Sequence, residues 1–128
     1  MCFKINQSIC SDLEEFKVIL GDILQKINKV IRDDSTMFDI RIILNELVAN
    51  GVIHGNCEDK NKFVNVCVNV YPNFIKIEVK DEGEGFIYNK DRYNPMELKC
   101  NGRGLVLVEG LSDEFYIQKN KVVSIKYL

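Results

Sequence analysis

The sequence predicts a two-layer α/β (α+β) sandwich, with helices packed on one face of a mixed β-sheet. Two observations carry this. Residues 11–54 repeat their apolar positions at helical spacing, whereas residues 64–79 and 115–127 alternate apolar and polar side chains at period two. A third observation bounds it. At 128 residues the chain is large enough for one core and too small for two, and no linker, repeat or biased tract divides it. Residues 1–128 therefore read as a single domain. The order helix, helix, hairpin, loop, helix, hairpin gathers the helices into one layer.

The elements follow in order. Ser11-Asp-Leu-Glu14 is a capping-box pattern, and apolar residues recur at Leu13, Phe16, Leu20, Ile23, Leu24, Ile27 and Ile31, predicting a helix over 11–32 with Gly21 as its weak point. Asp33-Asp-Ser-Thr36 interrupts that pattern and caps a second helix over 36–54, which Gly55-Asn56 stops. Val64, Val66, Val68 and Val70, then Ile75, Ile77 and Val79 across the turn Tyr71-Pro-Asn73, form a β-hairpin with one buried face. Residues 86–101 show no period and read as a mobile loop. Leu105–Leu111 is a short helix. Phe115–Gln118 and Val122–Tyr127, joined through Lys119-Asn-Lys121, make a closing hairpin.

Composition excludes several classes. Hydrophobic residues at 46% and charged residues at 28% describe a soluble globular chain, and a net charge of -2 supplies no pull toward nucleic acid or anionic membrane. The N-terminus lacks a basic start followed by an apolar run, and the runs Val18-Leu20, Ile42-Leu44 and Leu105-Val108 fall well short of the roughly 18 residues of a membrane span. The expected location is the cytoplasm. An odd count of five cysteines without a Cys-x-x-Cys pair fits reduced, mostly packed thiols. His54-x-x-Cys57 offers two soft ligands and no third or fourth, too few for zinc.

Three stretches bear chemistry. On a wheel of about 100° per residue, Asp39, Glu46 and Asn50 fall within roughly 40° of one another, at the margin of the core face Ile40, Ile43, Leu44, Leu47 and Val48. A carboxylate and an amide on so apolar a helix need a partner. Either neighbouring backbone satisfies them as an interior pair, or a ligand does. An Asn oxygen suits Mg²⁺, and a Glu one turn away can accept a proton from a hydroxyl attacking a γ-phosphate. His54 continues the same seam, where a structural histidine is the simpler role.

Asp81 ends a strand and precedes Gly83 and Gly85. Its carboxylate can accept the exocyclic amine of adenine and repel the oxygen guanine carries there; the plain alternative is a turn leaving a strand. Gly102-Arg103-Gly104-Leu105 enters a helix whose free N–H groups suit phosphate, with Lys90, Arg92, Lys99 and Arg103 nearby to add charge. Its plain alternative is a glycine-rich helix entry with solvated basic residues.

These residues resemble a known superfamily. Glu46-x-x-x-Asn50-x-x-x-His54-Gly is similar to the N-box, Asp81-x-Gly83-x-Gly85 to the first glycine box, and Gly102-x-Gly104-Leu105 to the second, of the ATPases that include gyrase, histidine kinases and MutL. The run Glu46–Gly55 and the compact length look most like the anti-sigma-factor subgroup of serine protein kinases. The resemblance implies a Bergerat-type sandwich that binds ATP and Mg²⁺ under a lid of residues 86–101. It implies Glu46 as general base, Asn50 on magnesium, and Asp81 on adenine. His54, Gly83, Gly85, Lys99, Gly102, Arg103, Gly104 and Leu105 complete the nucleotide site. It also implies a sigma factor held inactive, an anti-anti-sigma protein phosphorylated on serine, and a homodimer. Two positions depart from the usual pattern: Gly51 follows Asn50, and Cys100-Asn101 precede Gly102 where a basic residue is common. The competing class is an ATP-gated regulatory binding module with little or no phosphotransfer.

Overall fold

The computed structural model describes residues 3–83 and 100–128, with the backbone alone at 100–103. The elements are β1 (Phe3–Cys10), α1 (Glu15–Asn28), α2 (Asp34–Asn50) running into a π-helical stretch at Gly51–Gly55, β2 (Phe63–Val70), β3 (Phe74–Lys80), α3 (Cys100–Leu111), β4 (Glu114–Gln118) and β5 (Lys121–Tyr127). The five strands form one sheet in the order β1-β2-β3-β5-β4. The α/β sandwich read from the sequence is the architecture found. The sheet is antiparallel in every ladder rather than mixed. The reason is the closing hairpin. β3 and β4 run in the same direction on either side of α3, but β5 turns back at Lys119-Asn120, where Lys119 adopts φ 54°, and inserts between them.

Register keeps the alternation aligned. Ile5 faces Val68, Val68 faces Ile77, and Ile77 faces Ser124, so one row of inward side chains crosses four strands. That face buries Ile9, Val64, Val66, Ile75 and Val122 against Phe16, Leu20, Ile23 and Ile27 of α1, Ile40, Ile43, Leu44, Leu47 and Val48 of α2, and Leu105 and Val108 of α3. Each such side chain contributes on the order of 1.5–3 kcal/mol by leaving water. Ser124 interrupts the apolar row and is satisfied by the Ser112 hydroxyl at 2.6 Å.

Several boundaries differ from the sequence reading, each for a local reason. β1 went unread because Gln7 breaks the alternation of Phe3, Ile5 and Ile9. Ser11 is not a helix cap: it is buried, its N–H bonds Lys62 O at 3.1 Å, and Asp12 instead accepts from Glu14 N and Glu15 N, so α1 starts at Glu15. Asp33 caps α2 as expected, accepting both the N–H and the hydroxyl of Thr36. α3 begins at Cys100, so Gly102 and Gly104 lie inside its first turns rather than before them, and the proposed lid loses its last two residues to the helix. The rest of that loop, with Gly85 and Lys99, lies outside the described residues.

α1 covers only part of the outer side of α2, leaving Phe38 and, on the π-helical extension, Ile53 exposed. The described cysteines Cys10, Cys57 and Cys67 are free, but none is in the core, and Cys57 is exposed; the packed-thiol reading is corrected to that extent. Among the described residues no helix is long and apolar enough to cross a membrane.

Candidate functional site

The seam read on the helical wheel divides. Asp39 pairs with Lys126 Nζ at 3.0 Å, and the same ammonium donates to Leu111 O at 3.1 Å. Asp39 therefore ties α2 to β5 and, through Lys126, to the C-terminal end of α3. Glu46, two turns on, is half-buried, and Asn50 is 7% exposed. The Asn50 Oδ1 is buried and has no hydrogen-bond partner among the described residues. An orphaned buried carbonyl costs on the order of 1–3 kcal/mol, which a fold keeps only where something else completes it. A neutral oxygen donor in that position fits an oxygen-preferring cation such as Mg²⁺.

Beyond Asn50 the helix widens. Asn56 N–H bonds Gly51 O at 2.8 Å, five residues back, the spacing of a π-turn. His54 lies within this widened stretch, and its side chain is exposed. The departure at Gly51 has a packing cause. A Cβ there would sit 3.2 Å from Val64 Cγ2, so glycine lets the helix close onto β2.

The same close approach brings the first glycine motif to the helix end. A Cβ on Gly55 would overlap the Asp81 carboxylate, and a Cβ on Gly83 would lie 2.5 Å from Gly55 O. Asp81 is 8% exposed; its Oδ1 accepts Gly83 N–H at 2.8 Å, while Oδ2 is directed at Gly55. Burial pushes the Asp81 carboxyl above its ordinary value, partly opposed by the Gly83 N–H. Its backbone is fixed as well: Asp81 N–H bonds Asn120 O at 3.1 Å, and the Asn120 amide donates to Asp81 O at 2.5 Å.

The second glycine motif meets the other end of the seam. A Cβ on Gly104 would stand 2.5 Å from Glu46 Oε2, so α3 passes close over the carboxylate and a side chain there would push the carboxylate from its position. Leu105, placed in the nucleotide site by resemblance, buries its side chain in the core at 2% exposure and leaves only its backbone for a ligand. Thus Glu46, Asn50, Asp81, Gly83 and Gly104 converge from separated stretches, whereas the Leu105 side chain is committed to the core and His54 is exposed.

One residue at the site escaped the sequence reading. Asn56, taken only as a helix stop, is fully buried. Its amide nitrogen donates to Ser11 Oγ at 2.9 Å and Phe63 O at 3.0 Å, and its Oδ1 accepts Glu82 N–H at 2.7 Å. No local pattern signals this, because two of the three partners, Ser11 and Glu82, are distant in sequence and the third, Phe63, lies across a loop on β2.

Known proteins resemble the chain over most of its length. The family model described as a histidine kinase-like ATPase domain matches residues 11–126. The chain is 32% identical over 102 residues to the serine-protein kinase RsbW of Bacillus subtilis (strain 168), covering 70% of this chain and 64% of that protein. Against serine-protein kinase RsbW of Staphylococcus epidermidis it is 32% identical over 100 residues, covering 70% and 63%. It is 29% identical over 85 residues to an anti-sigma F factor of Geobacillus sp. (strain WCH70), covering 62% and 58%. The matches span less than two thirds of the length of these curated relatives.

Proposed function

The chain belongs to the histidine kinase-like ATPase domain family, and from that premise we propose that it is an ATP-dependent serine protein kinase acting as an anti-sigma factor. In this reading it sequesters a sigma factor and phosphorylates an anti-anti-sigma protein on serine. The names of its relatives support the class. The observation that carries the chemistry is the approach of Gly104 to Glu46 on the same helix that holds the orphaned Asn50 oxygen. A homodimer in the cytoplasm, without nucleic-acid or membrane partners, belongs to the same proposal and rests on the resemblance and the composition.

Asn50 would hold Mg²⁺, which when bound neutralises charge on the nucleotide phosphates. Asp81 orients the adenine through its free oxygen. The Gly83 and Gly104 backbones allow the nucleotide close, and the resemblance assigns Gly85, Lys99, Gly102 and Arg103, in or beside the two glycine motifs of the sequence, to the nucleotide as well. Glu46 accepts the serine proton as the hydroxyl oxygen bonds to the γ-phosphorus and ADP departs. Incubation of the full chain with γ-labelled ATP and an anti-anti-sigma candidate from the same genome tests this. Label on a partner serine supports the kinase. ATP binding without any transfer returns the gated-module reading.

Asp81 gives a second test with two signs. A carboxyl whose pKa is raised by folding makes its ionised form unfavourable to the fold above that pKa and has no effect below the unfolded value. Asp81→Asn removes the charge and keeps an oxygen for Gly83 N–H. At neutral pH it is expected to raise Tm while lowering the preference for ATP over GTP, and the Tm gain should shrink on acidification. A lowered Tm with intact preference would remove Asp81 from base recognition.

A further inference from the structure

We infer that Asn56 is a positioning residue for base selection, acting through the turn that presents Asp81. The inference rests on the reading of Asp81 as the adenine contact. A primary amide offers two N–H donors and two lone pairs, and Asn56 commits both donors and one lone pair. The donor end is anchored to two fixed points outside the nucleotide site, Ser11 Oγ and the Phe63 carbonyl on β2. The acceptor end takes the N–H of Glu82, the residue directly after Asp81. Glu82 returns to the same strand, its Oε2 accepting Phe63 N–H at 2.5 Å.

The Asp81 carboxylate, by contrast, takes its one described side-chain hydrogen bond from within its own turn, at Gly83 N–H. Asn120 holds the Asp81 backbone on one side, and on the other Asn56 and the Glu82 carboxylate both tie the following residue to the rest of the fold, so loss of the Asn56 anchor loosens that side of the turn. Guanine carries an oxygen where adenine carries an amine. A carboxylate held in place gains from the amine and penalises the oxygen; one that swings loses both effects. Loss of one hydrogen bond to a charged group costs roughly 10- to 100-fold in affinity.

The experiment measures Kd for ATP and for GTP by calorimetry on the full chain, at a temperature where circular dichroism shows each variant folded. Ser11→Ala removes an anchor on the far side of Asn56; it is expected to lower Tm and keep the ATP-to-GTP affinity ratio within about twofold. Asn56→Ala is expected to lower that ratio by about tenfold or more. An unchanged ratio in folded Asn56→Ala overturns the inference. Should Asn56→Ala not fold, Asn56→Ser fits the same space with a hydroxyl too short to join Ser11 to Glu82, and its ratio is judged by the same criterion. A parent chain without ATP preference, or Asp81→Asn that keeps it, overturns the Asp81 reading itself, and so is distinguished from a failure confined to Asn56.

Discussion

Glu46→Gln is expected to bind ATP within a few-fold of the parent chain and to transfer almost no phosphate to the partner serine. The amide matches the carboxylate in size, which matters because Gly104 leaves no slack beside Glu46 Oε2. What the substitution removes is the proton acceptor. General-base catalysis contributes typically about 10²–10⁴-fold, so the loss belongs to the transfer rate and not to nucleotide affinity. The comparison that makes this decisive is Gly104→Ala. Its methyl group would displace the carboxylate without altering its chemistry, so it is expected to impair transfer while ATP binding stays within a few-fold. Transfer at the parent rate by Glu46→Gln would take Glu46 out of the reaction and leave its contact with α3 as a packing feature.

Periodicity made most of the fold legible, because periodicity is a local property. The seam from Glu46 to Asn50 lies on a regular stretch of α2, and both residues appear where a helical wheel places them. His54 lies beyond the point where the hydrogen bond from Asn56 to Gly51 changes the local period. Asp39 was correctly placed on the seam but claimed by Lys126, which lies on the last strand. β1 and the antiparallel insertion of β5 share that cause: both depend on pairing partners far along the chain. The glycines could be recognised as punctuation, yet what each one approaches emerged only in three dimensions. Gly51 faces Val64, Gly55 faces Asp81 and Gly104 faces Glu46. Asn56 is the extreme case, with side-chain partners on three different stretches and nothing in its neighbourhood to announce them.

Gly55→Ala separates steric from conformational roles, because the two predict opposite signs. Gly55 closes a helical stretch and shows no left-handed φ, so on propensity alone alanine would add up to about 1 kcal/mol of stability. The structure predicts loss. A methyl group there meets the Asp81 carboxylate, which is itself buried and held by Gly83 N–H, while Gly83 cannot retreat past Gly55 O. Relief requires the turn to move off the helix, an overpacking cost of about 1–3 kcal/mol. Because Asp81 sits in that turn, ATP affinity is expected to fall by roughly 10- to 100-fold, the scale of losing one hydrogen bond to a charged group. Gly21→Ala provides the reference. It sits mid-helix in α1 with open space where its Cβ would go, and is expected to raise Tm by a few degrees without touching ATP binding. Thermal melts with and without ATP read both effects. If Gly55→Ala behaves like Gly21→Ala, the helix end and the Asp81 turn do not meet as closely in solution as described, and the nucleotide pocket loses the wall on which its base selectivity depends.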